Sequence, residues 1–126
     1  MIVIDTSALL AVTFNEPERA VCEAVLLVDQ RRLMSAGTLA EALITSEAKG
    51  IGAAVGSLIA AIDPEIVSVT AVAARSAFDA FRRHGKGRHP AGLNFGDCFA
   101  YALAVARGEP LLFKGNDFPQ TDAPTQ

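Results

Sequence analysis

Tryptophan is missing from this 126-residue chain, tyrosine occurs once, and aromatic residues make up only 6% of it. Its bulk must therefore come from aliphatic side chains, mostly Ala, Val, Leu and Ile, which suits helices packed on a buried sheet. The two cysteines, Cys22 and Cys98, fall far apart inside helical patterns. That placement implies neither a disulfide nor a thiolate metal site, because an isolated buried cysteine behaves as a small hydrophobe. His and Cys at zinc spacing, a glycine-rich phosphate loop of the Walker type and a Ser-His-Asp arrangement are all absent, as are internal repeats and low-complexity tracts. Charge interrupts every apolar stretch before the roughly 18 residues needed to span a bilayer. The opening Met1-Ile-Val-Ile-Asp5 has no basic leader, and Asp5 cuts its apolar run too short for a signal peptide, so a soluble, cytoplasmic protein is expected. A net charge of −3 argues against indiscriminate attraction to polyanions.

What is present fits one domain over residues 1–126, a length that can bury a real core. Met1–Ile4 predicts a strand, followed by a polar turn at Asp5-Thr6-Ser7 and a helix over Ala8–Val12. Glu16-Pro17-Glu18 opens a second helix that stops near Asp29. Arg32–Ala36 predicts a second strand, and Thr38 with Glu41 three positions on has the spacing of a capping box for a third helix reaching about Lys49. After a break around Gly50 and Gly52, a fourth helix runs to Ile62, and Glu65–Val69 forms a third strand. Thr70 caps a fifth helix that Gly85-Lys86-Gly87 ends. Asn94 caps a sixth helix through Ala106, Gly108 stops it, and Leu111–Phe113 supplies a fourth strand. Thr121–Gln126 could add an edge strand. Apolar strands alternating with amphipathic helices predict a mainly parallel sheet covered on both faces, with its site at the carboxyl ends of the strands.

Four acids fall where such a site would form: Asp5 just past the first strand, Glu41 and Asp97 early in helices, and Asp117 after the last strand. Each has a local structural role open to it. Asp5 can cap a helix, Glu41 can complete a capping box, Asp97 can favour a helix N-terminus, and Asp117 can serve in a turn. Gathered together, however, carboxylates raise one another's pKa and resist ionisation unless a cation joins them. Mg²⁺ takes oxygen ligands and keeps several of its waters, so converging acids without His or Cys suit it. Paired divalent ions assist phosphodiester hydrolysis without a nucleophilic side chain. One acid-free stretch of eight residues holds Arg82, Arg83, His84, Lys86, Arg88 and His89, and its cations can meet phosphate.

The run Asp5-Thr6-Ser7-Ala8-Leu9 after an apolar strand, Glu41 after the second strand and Asn94-Phe95-Gly96-Asp97 opening a late helix together resemble the PIN domain. Gly85 to Ala104 and Pro110-Leu-Leu-Phe-Lys-Gly-Asn-Asp-Phe118 resemble its VapC branch, the toxins of type II toxin–antitoxin pairs, and the likeness runs over essentially the whole chain. The resemblance implies a three-layer α/β/α sandwich, Mg²⁺- or Mn²⁺-dependent endonucleolytic cleavage of RNA, a homodimer and a cognate VapB-type antitoxin. Position by position it makes Asp5 and Asp97 the principal metal ligands, Glu41 the acid that completes the site and Asp117 the fourth. The branch commonly carries Gly-Asp-Asp-Phe at that fourth position, where this chain has Gly115-Asn116-Asp117-Phe118.

Around these acids, Thr6 and Ser7 are candidates to orient a ligand carboxylate or water, and Asn94 is a cap or a substrate contact. Lys86 and Arg88 are candidates for RNA phosphates; His84 and His89 are not ligands for a hard cation. Three other readings stay open at this point. One is a PIN nuclease of RNA processing that is no toxin, and another is an RNA-binding module without catalysis. The third is a receiver-like signalling domain using Lys114, which fits less well because Ser35-Ala36-Gly37 after the middle strand contains no acid to phosphorylate.

Overall fold

The computed structural model describes residues 1–115 and 118–124. Four short parallel strands form one sheet in the order β3-β2-β1-β4: β1 (Ile2–Ile4), β2 (Arg32–Ser35), β3 (Glu65–Val67) and β4 (Leu111–Leu112). Val3 lies opposite Leu33 on one side and Leu111 on the other, so the first strand is central. Successive residues of a strand point to opposite faces, and both faces here are apolar. Ile2, Ile4, Met34 and Leu112 enter one core with α1 (Thr6–Thr13), α2 (Arg19–Leu27), part of α3 (Ala36–Ala48) and α4 (Gly52–Ile62). Val3, Leu33 and Leu111 enter the other with α5 (Ala71–His84) and α6 (Phe95–Arg107). The result is the expected three-layer α/β/α sandwich. Cys22 and Cys98 are free thiols buried one in each core. No helix among the described residues is long and apolar enough to cross a membrane.

Several boundaries differ from the sequence reading for physical reasons. The first helix begins at Thr6 because Asp5 caps it, its carboxylate accepting the Ser7 amide at 3.0 Å. The third begins at Ala36, capped by Ser35 rather than Thr38. Thr38 is fully buried inside that helix, so no capping box joins it to Glu41, whose carboxylate is used elsewhere. β3 ends at Val67 and β4 at Leu112, each shorter than the apolar run that suggested it. No edge strand forms over residues 121–124. That segment contributes a single strand-like bond, the Leu111 amide to the Pro124 carbonyl at 2.9 Å, after a 3₁₀ turn at Phe118–Gln120. The tail is also fixed from the side, where the buried Tyr101 hydroxyl donates to Asp122.

Two glycines set how closely α3 can approach α6. A Cβ on Gly37 would stand 2.6 Å from the Phe99 ring, and one on Gly96 would fall on the Glu41 carboxylate. The first contact is packing, since Phe99 lies against the α5/α6 core. Gly56 in α4 faces no atom within 4 Å of its missing Cβ and tests the opposite case. Gly37→Ala is expected to destabilise the protein by about 1–3 kcal/mol through overpacking. Gly56→Ala is expected to stabilise it by about 0.5–1 kcal/mol through reduced backbone freedom in the unfolded chain. Urea melts of the two variants check the opposite signs.

Candidate active site

The starts of α1 and α3 lie directly after β1 and β2, at the carboxyl ends of those strands, and α6, which follows α5 through the loop 85–94, starts beside them with its Gly96 against the Glu41 carboxylate. Asp5, directly after β1, is only 2% exposed. One of its oxygens, Oδ2, accepts both the Ser7 amide and the Ser7 hydroxyl, the latter at 2.6 Å. The other, Oδ1, is buried without a hydrogen-bond partner. Ser7 Oγ in turn accepts the Lys114 amide at 2.9 Å, which ties the chain leaving β4 to the first turn of α1. Ser7 thereby fixes the Asp5 side chain in one orientation and leaves its second oxygen for something else.

Glu41 reaches the same region from the second turn of α3. Its Oε1 accepts the Thr6 hydroxyl at 2.7 Å; the Thr38 carbonyl, 3.4 Å from that hydroxyl, is the weaker competitor for its single hydrogen. Asp97, in the first turn of α6, forms a capping box with Asn94. The Asn94 amide donates to Asp97 Oδ2 at 3.0 Å, and the Asp97 amide donates to Asn94 Oδ1 at 2.9 Å. Asp97 thus takes the helix-start role open to it, and the capping box holds its carboxylate in place.

Burial pushes the Asp5 carboxyl up to about 7. The Ser7 hydrogen bonds pull it back, while the nearby Asp97 and Glu41 carboxylates push it further up. Among the described residues no three His, Cys, Asp or Glu side chains already stand as a closed ligand set, and Asp117 lies outside those residues. Even so, the donor set suits a hard divalent cation. An orphaned buried carboxylate oxygen next to two further carboxylates is what positive charge relieves, and no imidazole or thiolate competes for it.

The other candidates occupy distinct places. Lys86 and Arg88 are exposed on the loop between α5 and α6. That loop is braced by the Lys86 amide to the Leu93 carbonyl at 2.9 Å and by the Arg88 amide to the Gly85 carbonyl at 3.0 Å, and it runs directly into Asn94. His89 belongs to the same brace, its Nδ1 accepting the Ala91 amide at 3.0 Å. His84 packs on Tyr101 and beside Asp122, so both histidines serve structure. Lys114, which a phosphorylation pocket would turn toward its acids, pairs with Glu16 instead. Sequence reasoning passed over two features, the Lys114 amide and Gly96. The first leaves no mark on side-chain identity. The second is visible only as a glycine in the first turn of a helix otherwise rich in good helix formers.

The raised pKa of Asp5 has a consequence for stability. Between about pH 4, its unfolded value, and about pH 7, the folded protein holds a proton that the unfolded chain has lost, so folding loses free energy as pH rises through that window. The cost at alkaline pH is on the order of a few kcal/mol. Asn keeps the Ser7 interaction while carrying no charge. In metal-free buffer the Tm of Asp5→Asn minus that of wild type is therefore expected to grow from pH 4 to pH 8. A difference that stays constant with pH would show that Asp5 is not held against its charge.

Comparisons with known proteins identify the family and the fold. Residues 2–124 match the PIN domain family. Ribonuclease VapC30 of Mycobacterium tuberculosis and VapC ribonuclease Mb0640 of Mycobacterium bovis are each 46% identical to this chain, across 98% of it and 96% of their own length. Ribonuclease VapC of Mycolicibacterium smegmatis is 44% identical across 95% of both chains. Among solved structures, the fold is shared with Mycobacterium tuberculosis VapC20, described as a sarcin-ricin loop cleaving toxin, at a TM-score of 0.77 and 16% identity, covering 98% of this chain and 96% of that one. It is shared also with a toxin–antitoxin complex from Klebsiella pneumoniae, at 0.71 and 14% identity, covering 100% and 97%. With the match running from the first strand to the tail, this chain belongs to the PIN-domain family, in its VapC ribonuclease branch.

Proposed function

We propose that this protein is an endoribonuclease that hydrolyses RNA phosphodiester bonds with the help of Mg²⁺ or Mn²⁺, and that it acts as the toxin of a toxin–antitoxin pair. The observation that carries the reading is the buried Asp5 carboxylate, one oxygen fixed by Ser7 and the other unpartnered, beside Glu41 and Asp97. The relatives' shared designation as VapC ribonucleases supports the substrate class. Asp5, Glu41 and Asp97 would hold the cation, with Asp117 as the fourth acid. When bound, the ion supplies activation of water and stabilisation of charge on the phosphate.

The chain's own residues hold that arrangement. Ser7 and Thr6 keep Asp5 and Glu41 from turning away, and the capping box does the same for Asp97. Water attacks phosphorus in line, the bond to O3′ breaks and O3′ takes up the proton, which leaves a 5′-phosphate and a 3′-hydroxyl. Lys86 and Arg88 on the braced loop would contact RNA phosphates flanking the cut.

Assembly belongs to the same reading. An apolar cleft of about 650 Å³ between α5 and α6, lined by Phe78, Phe81, Phe95 and Phe99, supports a homodimer. Phe78 is 59% exposed and Phe95 81%, which is costly to leave in water. A VapB-type antitoxin would silence the enzyme in the cytoplasm by offering the acidic cleft an arginine, whose guanidinium pairs well with carboxylates. A toxin–antitoxin complex among the structures that share this fold is consistent with such a partner.

Incubation of the purified chain with total RNA, with and without Mg²⁺, tests the activity. Cleavage is expected only with the ion, and mapped ends are expected to carry 5′-phosphate. Asp97→Asn, which removes charge at nearly constant shape, is expected to lower cleavage by at least 100-fold with the fold retained. Ends bearing 2′,3′-cyclic phosphate would rule out the hydrolytic route, and unchanged cleavage in Asp97→Asn would remove that residue from it. RNA retained without cleavage would mark a binding module. Light scattering of the same preparation is expected to give the mass of a dimer.

A further inference from the structure

We infer that Gly96 is a positioning residue: the missing side chain at this helix position is what admits the Glu41 carboxylate to the acid pocket. A Cβ built on Gly96 would lie 1.6 Å from Glu41 Oε2, 2.1 Å from its Cδ and 2.6 Å from Oε1. No small adjustment absorbs overlaps of that size. On its other side the carboxylate is engaged by the Thr6 hydroxyl at 2.7 Å. Glu41 is thus seated between a hydrogen-bond donor at the start of α1 and a bare Cα in the first turn of α6.

The contact differs in kind from the one at Gly37, where a methyl would meet an aromatic ring packed into the core. At Gly96 the obstructed atoms are the far end of a flexible side chain. The fold can keep its packing by letting Glu41 swing out, and Ala suits a helix better than Gly by about 1 kcal/mol. A side chain here is therefore compatible with the fold and incompatible with the site. Since glycine in a helix costs stability, its presence in this first turn is accounted for by the neighbour it accommodates.

The inference rests on the proposed role of Glu41 in holding the cation, and its test separates the two. Gly96→Ala is expected to melt no lower than wild type, yet to bind Mn²⁺ and cleave RNA 10- to 100-fold less well, the usual effect of losing a group that orients a ligand. In a Glu41→Ala background the same substitution meets no carboxylate, so it should change neither Mn²⁺ affinity nor cleavage further. Gly96→Ala combined with Glu41→Asp, whose carboxylate is one methylene shorter, should recover part of the loss relative to Gly96→Ala alone. In a crystal structure of metal-free Gly96→Ala, Glu41 should no longer lie within hydrogen-bond distance of Thr6. Wild-type Mn²⁺ affinity in Gly96→Ala, or an equal loss with and without Glu41, would overturn the inference. If Gly96→Ala does not fold, the Glu41→Ala/Gly96→Ala double variant decides, because folding restored there keeps the clash as the cause and folding still lost refutes it. Should wild type bind no Mn²⁺ while Glu41 leaves Thr6 in the Gly96→Ala crystal, the metal reading fails and the positioning role stands.

Discussion

A carboxyl group buried to 2% exposure with two more carboxylates beside it is an electrostatic cost that packing alone does not offset, and the site is organised around that cost. Asp5 cannot turn toward solvent, because Ser7 holds one of its oxygens through two donors and is itself held by the chain leaving β4. Nor does it gain a second set of donors, because Oδ1 has none. The remaining ways to ease the charge are a proton, which its pKa near 7 makes available at mildly acidic pH, and a cation. A site in which proton and metal compete for one oxygen binds its metal more tightly as pH rises.

The fold makes that concentration of charge geometrically possible. Parallel strands deliver the starts of α1 and α3 to one edge of the sheet, the loop after α5 brings the start of α6 beside them, and each helix start is fixed by a side-chain cap: Asp5, Ser35 and Asn94. Two of those caps are tied directly into the acid cluster, since Asp5 is itself one of the acids and Asn94 holds Asp97. The close approach of α3 to α6 depends on Gly37 and Gly96, one yielding space to an aromatic ring and the other to the carboxylate. The two glycines of this interface thus make room for different groups.

Much of this was legible in the sequence, where alternation of apolar strands and amphipathic helices indicated a covered parallel sheet. The N-caps at Thr70 and Asn94 could be read because Thr and Asn satisfy helix amides within three residues of themselves. Thr38 and Glu41 misled for the same reason. They had capping spacing, but Ser35 was one helical turn earlier and caps the helix, leaving Thr38 fully buried within it. The fourth strand was overextended at Phe113 because an apolar residue that packs against the core continues past the last ladder bond, and the third at Val69, an apolar residue left exposed beyond the strand. The ties from Thr6 to Glu41 and from Ser7 to Lys114 span 35 and 107 positions, and no local pattern encodes them.

On the proposed function, Asp5 would stay protonation-prone until a divalent ion took the place of the proton. Calorimetric titration of the protein with Mn²⁺ at pH 6.5, in two buffers of different ionisation enthalpy, measures this directly. Binding should release a proton in wild type and should release none in Asp5→Asn, which should also bind more weakly. Manganese bound with no proton released, or bound equally well by Asp5→Asn, would contradict the account.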